Sequence, residues 1–176
     1  MREDHIDSHG VDWAIEEYAD RLYAVAFRIT GSPEDAEDAL QEAFLAAVAS
    51  WESFRSASNI GTWLHRIAVN AALTCVRKRH PTTYLENDGL LEGGIRDWSV
   101  DLEVDAERRE LREVIDRGIQ QLDPDTRAVV VLRDVEQFSA GEAAAILEMS
   151  ESALKARLHR GRLLLRRYLA EVLPER

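Results

Sequence analysis

Between residues 152 and 170 the chain places Lys155, Arg157, Arg160, Arg162, Arg166 and Arg167 with no acid among them. Long cationic donors at helical spacing can clamp phosphates or reach guanine edges, so the chemistry they offer is nucleic-acid recognition. A second basic run is Arg77-Lys78-Arg79-His80. The same runs also fit ordinary solvated helix faces, and charge alone leaves both readings open. Nothing points to catalysis. His65 and His159 have no neighbouring acid-nucleophile constellation, so no triad or acid/base pair is expected. His5 and His9 stand four apart and could ligate a metal only if helical; a mobile acidic terminus fits them better. Cys75 lies on an apolar stripe as a packed thiol, Trp51 and Trp63 read as core, and Gly93-Gly94 lacks the strand and helix of a phosphate loop. No catalytic residue, metal or cofactor is expected.

The bulk charge argues the other way. Among 176 residues, Lys+Arg number 22 against Asp+Glu 33, a net charge of -11 that should repel phosphate. The distribution of that charge restores the possibility. Residues 1–50 carry 3 basic and 12 acidic groups, 51–80 carry 5 and 1, 81–105 carry 1 and 7, and 106–176 carry 13 of each. Two locally basic places therefore sit inside an acidic chain, a map suited to two partners on different faces. The lone cysteine excludes a disulfide scaffold and suits a reducing compartment. No apolar run approaches the roughly 18 residues of a membrane span, and residues 1–10 lack the apolar stretch of a signal peptide, so a cytoplasmic protein is expected.

The elements that must position these groups are helical. Val11, Ile15, Tyr18, Leu22, Val25 and Ile29 step by four and three, the spacing of one buried stripe. Gly31 fits a helix C-terminus, and Ser32-Pro33 an N-cap followed by proline at the first helical position. A second helix should bury Ala36, Leu40, Phe44, Val48 and Trp51 while exposing Glu34, Asp35, Glu37, Asp38, Gln41 and Glu42. A third runs from about Thr62 to Arg79, with Trp63, Leu64, Ile67, Ala71 and Cys75 inside and Pro81 stopping it. Residues 81–104 mix Gly, acids and isolated apolar groups without a period and read as a flexible acidic linker. Periodicity resumes at Leu111, Val114, Ile115, Gly118, Ile119 and Leu122, and Asp123-Pro124 opens a further helix with Ala128, Val129, Leu132 and Val135 inside. No persuasive strand pattern occurs. The expected architecture is all-α: a tail at 1–10, a helical bundle at 11–80, the linker at 81–104 and a second bundle at 105–173.

Ser139-Ala140-Gly141-Glu142 has the form of a capping box. The short helix it opens ends near Glu148-Met149-Ser150, where Ser150 can cap a longer basic helix to about Leu169. This is the helix-turn-helix pattern. Leu154, Leu158, Gly161, Leu165 and Leu169 take one side of the second helix, which places Ser152, Lys155, Ala156, His159 and Arg160 on the other, toward a DNA major groove.

These blocks together resemble one family. Ala36-Glu37-Asp38-Ala39-Leu40-Gln41-Glu42-Ala43-Phe44, then Phe54-Arg55, then Thr62-Trp63-Leu64-His65-Arg66-Ile67-Ala68-Val69-Asn70 look like the second conserved region of extracytoplasmic-function (ECF) RNA polymerase sigma factors. Leu122-Asp123-Pro124 through Leu132, Glu142 through Leu147 and Leu154 through Arg162 resemble the fourth. The resemblance covers residues 13 to 170 and implies a promoter-specificity subunit that is not itself an enzyme. It places Asp38, Gln41, Glu42 and Leu45 against the clamp helices of the polymerase largest subunit, with the flap of the second largest as a further contact. It makes the loop from Phe54 to Thr62, which contains Asn59, the place where a flipped minus-10 base is captured, with Phe54 and Asn70 near the pocket. Trp63, Arg66, Arg77, Lys78 and Arg79 would flank the opening duplex. The recognition helix would read the minus-35 element through Ser152, Lys155, Ala156, His159 and Arg160. An anti-sigma factor is an implied partner, and regulation by an extension after residue 176 is not expected. Thr74 stands where many members carry an acid and receives no DNA role. Glu148 occupies a turn position where glycine is common, a departure that bears on the turn geometry. The rival readings are a sigma-like helical interaction module without initiation activity and an ordinary helix-turn-helix regulator; the latter leaves the acidic helix and the Phe54 to Asn70 block unexplained.

Overall fold

A computed structural model describes residues 6–54, 59–79 and 106–173, and every regular element in it is helical. The expected linker lies outside these residues, as do His5, Arg55, His80, Gly93 and Gly94. Helix α1 spans Ile6–Thr30 with a break at Gly10, so the second half of the expected tail, from Ile6, is part of a helix. Helix α2 spans Pro33–Ser50 and is followed by a single 3-10 turn, Trp51–Ser53. Helix α3 spans Ile60–Arg79.

The expected start signal of α2 is present: the Ser32 side chain accepts from the Asp35 backbone N–H, and Pro33 stands at the first position. Of its expected inner residues Ala36 is buried and Leu40, Phe44 and Trp51 are half-buried, but Val48 is 53% exposed, and Ala39, Ala43 and Ala47 complete the inner face. Alanines let α2 lie close against α1 and α3, and that choice of inner face turns Val48 and Leu45 outward. Asp35, expected at the surface, is buried, because Arg79 Nε comes to 2.7 Å of its Oδ1. Helix α3 is also more deeply enclosed than one stripe requires: Leu64, His65, Ala68, Val69, Ala72, Leu73 and Val76 are all buried, whereas Ile67, Ala71 and Cys75 are half-buried.

The C-terminal half contains α4 (Ala106–Gln120), α5 (Pro124–Val130), a π-helical turn (Val131–Val135), α6 (Ala140–Ile146) and α7 (Glu151–Val172). Asp123 caps α5, Ser150 caps α7, and the Ser139/Glu142 capping box is complete in both directions. Hydrogen bonding to Ser139 holds the Glu142 carboxyl below the usual carboxylate range. Leu111, placed on the inner stripe of α4 by its spacing, is 44% exposed.

Val129, Val130, Val131 and Leu132 are consecutive and all buried. A helix buried on every side needs neighbours on every side. Here α7 supplies one, and the N-terminal half supplies another, since α5 packs against α1 and α3. One core joins Val25, Ile29, Val69 and Leu73 of the first half to Ile119, Val129, Leu132 and Ile146 of the second. A second core, formed by Leu22, Ala47, Ile60, Trp63 and Leu64 with their neighbours, belongs to α1–α3 alone.

Candidate nucleic-acid and polymerase interfaces

The helix-turn-helix pair is built by caps. Ser139 and Glu142 satisfy the first N–H groups of α6, and Ser150 Oγ accepts from the Ala153 N–H at 3.2 Å to start α7. Between them Glu148 takes φ +52, the left-handed conformation that glycine adopts freely. The turn therefore forms without glycine, closed by Met149 N–H donating to the Ala144 carbonyl at 3.0 Å. Leu154 and Leu158 are buried beneath α7, and Gly161 sits where a Cβ would come within 2.8 Å of Thr126 and Val130. This close approach fixes the height of α7 above α5.

The opposite face of α7 is open. Ser152, Lys155, Ala156, His159 and Arg160 are all exposed, so the structure brings the five residues onto one surface. Lys155 has only an exposed i,i+4 pair with Glu151 at 3.3 Å, which is worth little in water and is easily exchanged for phosphate. Arg162 is not part of that face; it forms a two-point pair with Asp134 (3.0 and 2.5 Å) that ties α7 to the π-helical turn.

On α2, Asp38, Gln41, Glu42 and Leu45 are exposed together, Leu45 at 63%. Val48, 53% exposed on the same helix, adds to the apolar surface beside these carboxylates. Between α2 and α3 lies a groove of about 760 Å³ with Asp38 and Glu42 on one wall, Asn70 and Thr74 on the other, and Lys78 and Arg79 at one end.

The residues of α3 divide. Arg66 and Asn70 are exposed one turn apart, on the same face. Asn59 is exposed, and its Oδ1 accepts from the Gly61 N–H at 2.8 Å, capping the helix that carries them. Trp63 is buried at 6% exposure and packs between Phe54 (ring centroids 4.7 Å apart) and Trp51 (5.9 Å). It belongs to the wall that supports Phe54. Phe54 itself is half-buried, directly before residues 55–58, which lie outside the described chain.

The basic run at the end of α3 is already paired in part. Arg79 reaches Asp35 at 2.7 Å, Glu34 at 3.5 Å and Asp38 at 3.7 Å, and Asp35 foremost among these acids raises its pKa further. Arg77 reaches Asp125 of α5 at 2.9 Å. Lys78 is exposed, with no carboxylate of the described residues within ion-pair distance. Charge counting along the chain could not reveal these pairings, because the partners lie on other helices.

No group of His, Cys, Asp and Glu among the described residues is arranged to hold a metal ion, and no described helix is long and apolar enough to cross a membrane.

The comparisons with known proteins follow these surfaces. Residues 14–82 match the family model for Sigma-70 region 2, and residues 112–165 match that for Sigma-70, region 4. The ECF RNA polymerase sigma factor SigW of Bacillus subtilis is 32% identical over 164 residues, 90% of this chain and 88% of its own length. The chain belongs to the ECF RNA polymerase sigma factors. A second ECF sigma factor, SigE of Mycolicibacterium smegmatis, is 35% identical over 162 residues, 91% of this chain but 62% of its own length, so the chain spans less than two thirds of that relative. The sigma factor RpoE of Bartonella quintana, solved in complex with the anti-sigma factor NepR, shares the fold with a TM-score of 0.68 at 24% identity, over 93% of this chain and 98% of that one. In sigma-factor terms, the region 2 match takes in α2, α3 and all of α1 from Ala14, and the region 4 match runs from Arg112 in α4 to Leu165 in α7.

Proposed function

We propose that this chain directs core RNA polymerase to promoters by holding three exposed surfaces on one helical scaffold. The observation that carries the reading is that Asp38, Gln41, Glu42 and Leu45 on α2, Arg66 and Asn70 on α3, and Ser152, Lys155, Ala156, His159 and Arg160 on α7 all face outward, each from a sigma-region match. The α2 surface docks on the clamp helices of the polymerase largest subunit, with the C-terminal half reaching the flap of the second largest. Phe54, Asn59 and Asn70 receive a base unpaired from the minus-10 element. Unpairing costs a few kcal/mol, which stacking and cationic backbone contacts can offset. Arg66 and Lys78 meet the phosphates as they stand; Arg77 and Arg79 do so by exchanging carboxylates for phosphate, and Trp63 acts by packing beneath Phe54. The α7 surface reads the minus-35 element, its cations on phosphates and guanine edges, with Ala156 small enough to let the backbone approach. Bond making belongs to the polymerase.

The similar Bartonella quintana sigma factor is bound by an anti-sigma factor, which supports a partner of that class here. The domain limits follow the same reading: 11–80 for the polymerase and minus-10 part, 105–173 for the minus-35 part, joined by 81–104 and preceded by a tail at 1–10.

The test is reconstituted transcription with core polymerase and a promoter template mapped by overexpressing the chain. Specific transcripts should depend on adding the protein. Equal specific transcription without it overturns the reading.

A further inference from the structure

Lys and Arg together number 22 in this chain, yet only Lys78 and Lys155 are lysines. A guanidinium keeps its proton and does not take up acyl groups, whereas a lysine amine does, and conversion to an amide removes its charge. The cations that hold the scaffold are all arginines. Arg127, 3% exposed on α5, donates to the Ile29 carbonyl at 2.6 Å and to the Gln120 and Leu122 carbonyls at 2.7 and 2.9 Å. Arg21 reaches Glu136 at 2.7 Å, Arg28 reaches Asp116 at 3.4 Å, and Arg162 holds Asp134 at two points. The two lysines lie elsewhere. Lys78 is exposed at the end of α3 and Lys155 on the open face of α7, one amine on each surface assigned to DNA. Acylation of side-chain amines therefore reaches both surfaces and none of the ties beneath them.

The surroundings of each amine suit the transfer. Lys78 stands at one end of the α2–α3 groove, whose volume of about 760 Å³ admits a small acyl phosphate. No carboxylate of the described residues is within ion-pair distance of Lys78, while Asp38 and Glu42 line the same groove and can take up the proton that the amine gives up. Lys155 Nζ is 3.3 Å from Glu151 Oε2, with both side chains more than half exposed, so the pair opens readily and its carboxylate is at hand for the proton. Both lysines belong to the locally basic places of the chain, which attract an anionic donor. We propose that Lys78 and Lys155 are acylation sites, and that acyl transfer from an acyl phosphate weakens promoter reading at both elements together. The regulation rests on the function proposed above. In each transfer the amine nitrogen attacks the carbonyl carbon and the C–N amide bond forms. The C–O bond to phosphate breaks, phosphate leaves with the bonding pair, and one proton passes from nitrogen to the carboxylate and on to water. The amide is neutral, so each surface loses one phosphate contact.

The test incubates the full-length chain with acetyl phosphate, removes the reagent, maps acetyl groups by mass spectrometry, and then adds core polymerase and the mapped promoter. Acetyl groups are expected on Lys78 and Lys155. Promoter-dependent initiation should fall severalfold, and the salt slope of promoter binding by the loaded polymerase should fall by about two. Circular dichroism of the treated chain should match that of the untreated one, because no arginine tie is altered. The double variant Lys78→Arg/Lys155→Arg keeps both charges and lacks both amines; whatever its own level of initiation, treatment should leave that level unchanged. Absence of acetyl groups from both lysines overturns the sites. An acetylated parent that initiates as before, or a double variant that loses as much as the parent on treatment, overturns the regulation alone. Absence of initiation by the untreated parent overturns the function itself and the regulation with it, while the acetyl map still decides the sites.

Discussion

Arg77, at the end of α3, and Arg157, on the recognition helix, point at the same carboxylate: Asp125 lies 2.9 Å from the first and 3.8 Å from the second. One acid at the start of α5 thus neutralises a cation from each DNA-reading half. All three groups are partly solvated, so the cluster contributes little to stability. Its effect falls on DNA binding. In Asp125→Asn the thermal midpoint should hardly move, while binding to a promoter duplex should tighten and its salt dependence steepen by about one phosphate contact. Filter binding across a salt series measures both, and an unchanged slope would show that these arginines do not meet DNA.

The α2 surface makes an independent prediction. Leu45 and Val48 are 63% and 53% exposed, so their truncation removes almost no packing. Leu45→Ala should leave the melting temperature within the scatter of a surface change, about 0.5 kcal/mol, yet weaken binding to core polymerase by about 1 kcal/mol or more, roughly fivefold. Titration of labelled polymerase decides the matter, and unaltered affinity would remove α2 from the interface.

Gly161→Ala should act in the opposite way. Its new Cβ would meet Thr126 and Val130 at 2.8 Å, pushing α7 off α5. A destabilisation of about 1–3 kcal/mol is expected from overpacking. Urea unfolding reads it, and a neutral substitution would mean that α7 is seated more loosely than the contacts require.

His65 gives a pH dependence with a definite sign. Burial holds its imidazole below the ordinary range, opposed by its hydrogen bond to the Gly61 carbonyl and by Glu136, with Arg21 reinforcing the lowering. An unfolded chain takes up the proton near the ordinary value of about 6.5, whereas the packed ring does so only at lower pH. Above that value His65 carries no penalty. As pH falls through it, the unpacked states gain protons first and the packed state loses stability. The melting temperature should therefore fall between pH 7.5 and 5.5 more in the parent than in His65→Leu. Parallel pH profiles would contradict it.

Much of the fold is legible from local chemistry. Ser32-Pro33, Asp123-Pro124, Ser139 with Glu142, and Ser150 are start signals that work within one helical turn, and each caps the helix that its sequence context predicts. The exposed face of α7 that carries Ser152, Lys155, Ala156, His159 and Arg160 follows from the same local periodicity. Periodicity fails where distant chain decides burial. Beside the expected Ala36, the residues Ala39, Ala43 and Ala47 form the inner stripe of α2, and these alanines give so weak an apolar signal that spacing favours Val48 in their stead. Asp35 is buried and paired with the exposed Arg79, separated from it by much of two helices, only because α2 and α3 meet. The interface between the halves is invisible in sequence for the same reason: Arg127 and Ile29 are 98 residues apart, and a buried arginine reads there as a solvated one. A continuous valine run, Val129 to Val131, is the one local sign that α5 is covered on more than one side.

Footprinting of core polymerase loaded with this chain on its mapped promoter tests whether two separate surfaces read two separate elements. Two protected blocks about 25 base pairs apart are expected, with Arg160→Ala losing the upstream block and Asn70→Ala losing strand opening at the downstream one. A single protected block, or both variants losing the same contacts, would contradict it.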